Sequence, residues 1–403
     1  MENKQLEVPQ EIRSHRYPEL DALRGLAAST VIFHHMLLIW NNAGWYLPLM
    51  ATPLRLFFSG PQAVVLFFVL SGFVLSAAQN SPRRPGYFGY LIKRLCRIYL
   101  PYLAALLIAC AFAWHFYLRT PTDNAWVNGT WSYRPILSQV LQAALTSMNY
   151  SQQFNTAFWS VLIEIRVSLV FPLLFLVVKR IPAWCSVALM LVLLATSPLI
   201  PNVNWLQTMQ AVTLFLFGTL AFLHLDKLRS WMAARTRSTQ IVLLLLSLVA
   251  YTYGNATIHF GPMHNAAITT AATANPIVAA EAPSTGHLLH QEIKQGRYAM
   301  CAIASLLMML GAIVHPGLRR FLQRPFLLRL GALSYSIYLI HGTVLFAMIR
   351  GLWRKIPVAA FVVLYVLLVY VAAELFHLLI DAPALQLGRR VGKSAMKHEQ
   401  ATA

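Results

Sequence analysis

Long apolar segments separated by shorter polar connections dominate the chain. A helix that crosses a lipid bilayer needs about 20 mostly apolar residues. By that criterion the pattern predicts ten spans, at residues 21–40, 56–78, 98–118, 157–178, 183–200, 208–225, 240–258, 298–314, 330–349 and 357–380. The predicted fold class is therefore all-α, a polytopic membrane helical bundle with about ten transmembrane helices.

Composition supports a membrane protein. Hydrophobic residues make up 58% of the 403 residues and charged residues 11%, against roughly 25% charged in soluble domains. A soluble fold could not bury that much apolar surface. We predict a cytoplasmic N-terminal segment at 1–18, a membrane domain at 19–381 and a basic cytoplasmic tail at 382–403. No signal peptide is expected, because the N-terminus is polar and the first apolar segment lacks a small-residue cleavage site.

The strong positive charge predicts the orientation of the spans. The chain has 32 Lys and Arg against 13 Asp and Glu, a formal charge of +19. With both termini in the cytoplasm, 23 basic residues fall on the inside and 8 on the outside, which agrees with the positive-inside rule. We therefore expect a multi-pass protein of the cell inner (plasma) membrane, with both termini cytoplasmic and no nucleic-acid partner.

One basic cluster lies on the unexpected outer side, at Arg350, Arg354 and Lys355. It can bind an anionic acceptor such as an acidic polysaccharide, or its side chains can simply snorkel to the interface. A misplaced final hairpin would also explain it.

Two long outer segments are predicted, at 119–156 and 259–297. The first is aromatic, with Trp126, Trp131, Tyr133, Tyr150 and Phe154, which suggests packing at the interface or contact with a substrate. The second is rich in Ala, Thr and His and is expected to be disordered. Its histidines and the four scattered cysteines match no ligand spacing, so we predict no metal site and no disulfide framework.

The first span carries a basic residue and two histidines. Arg24 and His35 are eleven residues apart, which on a helix is about 20° past three full turns and a rise of about 16 Å. They therefore share one face. A histidine in a span often has only a structural role, as a hydrogen-bond partner of a neighbouring helix. The arginine on the same face makes a functional role for this histidine about as plausible as a structural one. His34, about 80° from Arg24, is the rival candidate.

Three further sets of polar residues need an explanation. Arg94 and Arg97 are neighbours on a helix and can anchor the protein to anionic lipid or clamp phosphate groups. Glu164 needs a partner on another span, because Arg166 points to another face. Ser334, Tyr338 and His341 form one helical stripe, which can connect helices or place a titratable group. Asp381 is expected only to end the last span.

Together these segments resemble the acyltransferase-3 family of integral-membrane acyltransferases. The family's arginine–ten residues–histidine pattern falls on Arg24 and His35, and its RxxR motif on Arg94 and Arg97. Its second-span signature is similar to residues 67–73. Its two later motifs are similar to the segments that hold Trp159, Ser160 and Glu164, and Ser334, Tyr335, Tyr338 and His341.

The resemblance implies transfer of an acyl group, by family default acetyl, from cytoplasmic acyl-CoA to a hydroxyl of a carbohydrate such as a surface polysaccharide or its lipid-linked precursor. We expect Arg24, Arg94 and Arg97 to hold the CoA phosphates. His35 is expected to act as general base or to carry the acyl group covalently, with Glu164 orienting the imidazole. Substrate binding is assigned to Trp159, Ser334, Tyr338 and His341. Acyl-CoA is a substrate here, and no permanently bound cofactor is expected.

Departures from the family pattern leave other functions open. Val167 and Ser168 stand where family members often have aromatic residues. Because no hydrolase-like domain follows the last predicted span, we expect transfer by the membrane domain alone or with a separate extracytoplasmic protein. The competing hypothesis is a proton-coupled transporter of a small polar solute, although no inverted repeat is visible. A scaffold without chemistry would leave His35 and Glu164 unexplained.

Overall fold

The computed structural model describes residues 17–82, 84–117, 122, 124–145, 148–200, 202–254 and 285–402, and the regular structure in these ranges is helical throughout. This confirms the predicted all-α class. The α-helices are α1 Pro18–Leu37, α2 Tyr46–Ala51, α3 Gly60–Gln79, α4 Tyr87–Arg94, α5 Leu100–Phe116, α6 Ala125–Gly129, α7 Leu137–Ala144, α8 Met148–Phe154, α9 Phe158–Arg180, α10 Ala183–Thr196, α11 Val203–Leu223, α12 Leu225–Ala233, α13 Arg237–Tyr253, α14 Thr285–Val314, α15 Pro316–Leu322, α16 Pro325–Leu352, α17 Val358–Phe376 and α18 Ala382–Thr402.

The described ranges contain eight helices long and apolar enough to cross a membrane, so this is a multi-pass membrane protein. Of the ten predicted spans, 183–200 becomes the 14-residue helix α10, about 21 Å long at 1.5 Å per residue. The span predicted at 240–258 corresponds to α13, which is bent by 119° from α12 and adds a ninth crossing if the pair counts as one span. The side on which the termini lie stays a prediction.

The loop predicted at 259–297 falls outside the described residues up to position 284, and with it His259 and His264. From Thr285 onward the chain is helical and forms the first turns of α14. The prediction of disorder is therefore wrong for residues 285–297, which continue into the apolar part of the same helix.

Helices α1 and α16 run parallel and cross at a pair of glycines. A Cβ added at Gly25 would lie 2.6 Å from the backbone nitrogen of Gly331. A Cβ added at Gly331 would lie 2.6 Å from the carbonyl carbon of Asp21. Only the absence of side chains permits this approach, as in other close crossings of membrane helices. Ten residues beyond the crossing, about 15 Å along each helix, the two helices carry His35 and His341.

Helices α3 and α11 also approach through glycine. A Cβ at Gly218 would lie 2.9 Å from the backbone nitrogen of Phe73, and one at Gly72 would lie 2.7 Å from the carbonyl carbon of Phe215. Helix α3 in turn packs against α1. The two glycine crossings and the contact of α1 with α3 therefore connect four helices into one tight unit, which holds His35 and His341.

Candidate active site

A hydrogen-bonded pair of histidines connects α1 and α16 beyond their glycine crossing. Nδ1 of His35 is 2.9 Å from Nε2 of His341, and the two rings stack with centroids 5.1 Å apart. Nδ1 of His341 is 3.0 Å from the backbone oxygen of Ile337. The His341 ring is fully buried, whereas His35 is partly exposed.

The hydrogen-bond chain assigns the tautomers of both neutral rings. A carbonyl oxygen only accepts, so Nδ1 of His341 carries a proton and Nε2 of the same ring is an acceptor. His35 must then donate from Nδ1, which leaves the lone pair on its Nε2. The buried carbonyl of Ile337 therefore prepares His35 to take a proton at Nε2.

The structure separates His35 from its rival His34. Nδ1 of His34 donates to the backbone oxygen of Phe58, at 2.9 Å. A Cβ at Gly60 would lie 2.5 Å from the His34 ring, so that ring fills the space beside a glycine. These contacts give His34 a role in fastening the 3₁₀ turn Pro53–Phe58 to α1.

A narrow cleft lies between Arg24 and Tyr338. Arg24, Ser71, Glu164, Ser334, Ser160 and Tyr338 contribute its polar lining. The hydroxyls of Ser160 and Tyr338 are 2.6 Å apart, and the Tyr338 ring lies 5.9 Å from that of His341. Two members of the predicted stripe, Ser334 and Tyr338, thus line the cleft, and Tyr338 connects it to the third member, His341.

Glu164 pairs with Arg94, and His341 takes the place that was expected for Glu164 beside His35. Nη2 of Arg94 lies 3.1 Å from Glu164 Oε1 and 2.8 Å from Ser168 Oγ. Ser71 donates to the same carboxylate oxygen at 3.2 Å. The partner of Glu164 is on another helix, as expected, but it is an arginine. In this geometry His341, not Glu164, orients His35.

Arg97 lies in a π-helical segment, Leu95–Tyr99, which joins α4 to α5. Segments of this kind occur often at functional sites. The nearest charges to Arg97 are those of Arg24, Arg94, Asp381 and Glu164. The three arginines of the predicted phosphate site are thus close enough for their charges to interact. Arg94, however, is already hydrogen-bonded to Glu164 and Ser168.

The sequence suggested that Asp381 ends the last span, but in the structure the helix continues past it. It closes a second π-helical segment, His377–Asp381, and the chain continues directly into α18. Its buried carboxylate accepts hydrogen bonds from Ser336 at 3.2 Å and from His377 at 2.9 Å. Asp381 therefore supplies a buried negative charge to the arginine cluster, a role that the sequence pattern did not reveal.

Trp126 and the buried Asn124 form one wall of the site. The Trp126 ring stacks on His35 with an interplanar angle of 7°. Asn124 caps α6 by accepting from the Val127 amide, and its own amide donates to the backbone oxygen of Leu38 at 2.7 Å. The aromatic loop therefore contacts the candidate site through Trp126, and its predicted contact with a substrate stays a prediction.

Arg350 belongs to this wall and not to an exposed basic cluster. Its side chain is 2% exposed and donates to the backbone oxygens of Val127 at 3.1 Å and Thr130 at 2.8 Å. The interpretation of Arg350 as part of an anion-binding surface is therefore wrong. Trp159 packs partly buried against the hydrophobic core, and its neighbour Ser160 lines the cleft. The predicted role of Trp159 in substrate binding stays a prediction.

Comparison with known proteins identifies the family. The acyltransferase-3 family profile, described as an acyltransferase domain, matches residues 17–377. The chain is 24% identical over 348 residues to "Acyltransferase MdmB" of Streptomyces mycarofaciens, with 82% of each chain covered. It is 32% identical over 104 residues to "O-acetyltransferase PaAT-1" of Phomopsis amygdali, which covers 22% of this chain and 20% of that protein. No solved structure matches significantly. The chain is therefore a membrane acyltransferase of the acyltransferase-3 family.

Proposed function

We propose that this enzyme transfers an acetyl group from cytoplasmic acetyl-CoA to a hydroxyl of a carbohydrate that reaches His35 from the outer side of the plasma membrane. The observation that carries the proposal is the His35–His341 pair, whose hydrogen bonds leave the lone pair on Nε2 of His35. Tyr338, whose ring contacts that of His341, lines a cleft that Arg24 also lines. The printed name of the Phomopsis relative supports the acetyl group and the oxygen acceptor.

The residues of the inner half suit an anionic donor with a long thin arm. Arg24 lines the cleft, and Arg97 lies within electrostatic range of it. Their guanidinium groups match phosphate oxygens, so in this proposal they receive the phosphates of CoA. Arg94 instead donates hydrogen bonds to Glu164 and Ser168 and holds one wall of the cleft in place. The cleft has a volume of about 30 Å³, about that of one water molecule, so in this proposal it opens when the pantetheine arm enters and brings the thioester toward Tyr338 and His35.

The proposed transfer is a direct attack of the acceptor on the thioester, in which the proton of the acceptor hydroxyl ends on the CoA thiol. Nε2 of His35 takes the proton of the acceptor hydroxyl while that oxygen attacks the thioester carbon. The carbon–sulfur bond then breaks, the CoA thiolate leaves, and it receives the proton from His35. His341 remains neutral and holds the ring by accepting from Nδ1. A general base of this kind contributes about 10²–10⁴-fold.

Covalent transfer through an acyl-histidine is the second route left open by the sequence. The same lone pair on Nε2 would attack the thioester in that case. Purified protein incubated with radiolabelled acetyl-CoA and no acceptor separates the routes: retention of label on the denatured protein means a covalent intermediate, and its absence means direct transfer.

The test of the proposed function is CoA thiol release by purified protein in lipid nanodiscs, with acetyl-CoA and methyl β-D-glucopyranoside as the acceptor. We expect His35→Ala to lower the rate by at least about 10²-fold. His115→Ala is the matched control, because His115 lies at the end of α5 and contacts the ring of Phe116; it should keep the full rate. Full turnover by His35→Ala would contradict the proposal.

A further inference from the structure

A second cavity, the outer cleft, lies on the outer side of the histidine pair. Its volume is about 320 Å³, within the range of about 300–1,000 Å³ that is usual for small-molecule sites. The segment that follows α1, the segment that precedes α6, the connection between α16 and α17, and the start of α17 surround it. Its lining includes Ile39, Trp40, Asn124, Trp353, Arg354 and Phe361.

Aromatic rings form fixed walls of the outer cleft. The rings of Trp40 and Trp353 are 5.6 Å apart at 47°, and those of Trp353 and Phe361 are 5.6 Å apart in an edge-to-face arrangement. Each ring holds the next, so the walls are preformed. Tryptophan presents a broad apolar face and a polar N–H group, which suits a ligand with C–H faces and hydroxyl edges.

Among the described residues, one cation lies in the lining of the outer cleft. Of the three neighbouring basic residues, Arg350 is buried against α6, and Lys355 donates to the backbone oxygen of Gly351 at 2.8 Å, where it caps α16. Arg354 lines the cleft and has a φ of 60°. A positive φ is uncommon for a residue with a side chain, and such strain concentrates at ligand sites.

The outer cleft and His35 share a wall. Ile39, in the lining, follows His35 by four residues, about one helical turn. Asn124, also in the lining, donates to the backbone oxygen of Ile39 at 3.1 Å. Two residues further on, Trp126 stacks on the His35 ring. A ligand in the outer cleft therefore lies about one turn from the general base of the proposed reaction.

We propose that the outer cleft binds the acceptor, and that this acceptor is a sugar bearing an anionic group, a carboxylate or a phosphate. The sugar ring lies against Trp40 and Trp353, and its anionic group pairs with Arg354. The assignment of this ligand as the acceptor rests on the proposed function. Binding of the ligand to the outer cleft does not depend on acyl transfer. Carboxylate and phosphate share the chemistry that an arginine recognises, and the experiment distinguishes them.

Saturation-transfer NMR on the purified protein in nanodiscs tests the inference, with three probes: methyl β-D-glucuronide, α-D-glucose 1-phosphate and methyl β-D-glucoside. The wild type should bind at least one anionic probe at least 10-fold more tightly than the neutral glucoside. Arg354→Gln should remove this preference, and Lys355→Gln should keep it. Trp353→Ala should weaken the anionic and neutral probes together, whereas Trp45→Ala, at an exposed ring beside Trp40, should change neither.

The outcomes separate this inference from the proposed function. Equal binding of all three probes to the wild type, or an unchanged preference in Arg354→Gln, would overturn it even if CoA thiol release proceeds normally. Loss of preference in Lys355→Gln to the same extent as in Arg354→Gln would overturn it as well. Failure of His35→Ala to reduce thiol release would instead contradict the proposed function and leave the binding result standing.

Discussion

Gly331→Ala tests whether the glycine crossing of α1 and α16 sets the geometry of the histidine pair. The added Cβ would lie 2.6 Å from the carbonyl carbon of Asp21 and 3.0 Å from the backbone nitrogen of Ala22. Both atoms are backbone, so no side chain can rotate away. The two helices must move apart.

The size of that movement follows from the contact distances. Ordinary contact for a Cβ begins at 3.4 Å, so α1 and α16 must separate by about 1 Å. A rigid shift of that size would lengthen the 2.9 Å contact between His35 and His341 to about 3.9 Å, beyond a hydrogen bond. Misplacement of a catalytic group by 1 Å can cost about 10²-fold in rate.

The assay is CoA thiol release at saturating acetyl-CoA, together with the melting temperature of the same preparation. We expect Gly331→Ala to lose about 10²-fold in kcat while the protein still folds. Gly351→Ala is the matched control in the same helix, because its added Cβ would meet only the Phe116 ring, at 3.7 Å. It should keep full activity.

Gly25→Ala should act like Gly331→Ala, because its Cβ would meet the backbone of Leu330 and Gly331 at 2.6 Å. The double variant should lose less than the sum of the two free-energy changes, since the first alanine has already separated the helices. Wild-type kcat in Gly331→Ala, with an unchanged melting temperature, would refute the idea that this crossing positions the histidines.

Three further variants probe the parts around the pair. His341→Ala removes the acceptor that orients His35, so kcat for thiol release should fall by about 10²-fold with little change in the KM for acetyl-CoA; a change in KM alone would argue against an orienting role. Glu164→Gln removes one partner of a largely buried ion pair and should destabilise folding by about 3–5 kcal/mol. Glu374→Gln, in an exposed pair, should cost less than about 1 kcal/mol. Thermal unfolding compares the two variants, and equal changes in melting temperature would be inconsistent with a buried Glu164–Arg94 pair. Arg350→Met should speed hydrogen exchange in α6, and unaltered exchange would show that its two carbonyl bonds do not hold that helix.

Helical periodicity was enough to predict which polar residues lie together on one helix. Ser334 and Tyr338 of the predicted stripe line the cleft, and the Tyr338 ring contacts that of His341. The common face of Arg24 and His35 on α1 stays a prediction. Such predictions are possible because a span long enough to cross a bilayer is a regular helix, in which spacing determines direction.

Partners on different helices could not be predicted in this way. His35 and His341 are separated by 306 residues, and nothing in the local pattern near either one names the other. The same limit explains Glu164, for which the sequence required a partner on another span without identifying Arg94. The signal that could have found the crossing was small: Gly25 and Gly331 each precede a histidine by ten residues.

The roles of the outer basic residues depend on loop geometry that the sequence pattern does not contain. Arg350, Arg354 and Lys355 look alike as a cluster of cations. The end of α16 turns Arg350 inward to the carbonyls of α6 and Lys355 back onto its own helix, while Arg354 lines the outer cleft. Only the positions of the surrounding carbonyl groups separate the three.

The central claim is that neutral His35 carries its proton on Nδ1 and leaves Nε2 unprotonated. Nitrogen-15 NMR of histidine-labelled protein measures this directly, with the His35 and His341 signals assigned by their loss in His35→Gln and His341→Gln. We predict that both rings are neutral and protonated on Nδ1. A neutral His35 with its proton on Nε2 would contradict the proposed hydrogen-bond chain and, with it, the assignment of His35 as the base.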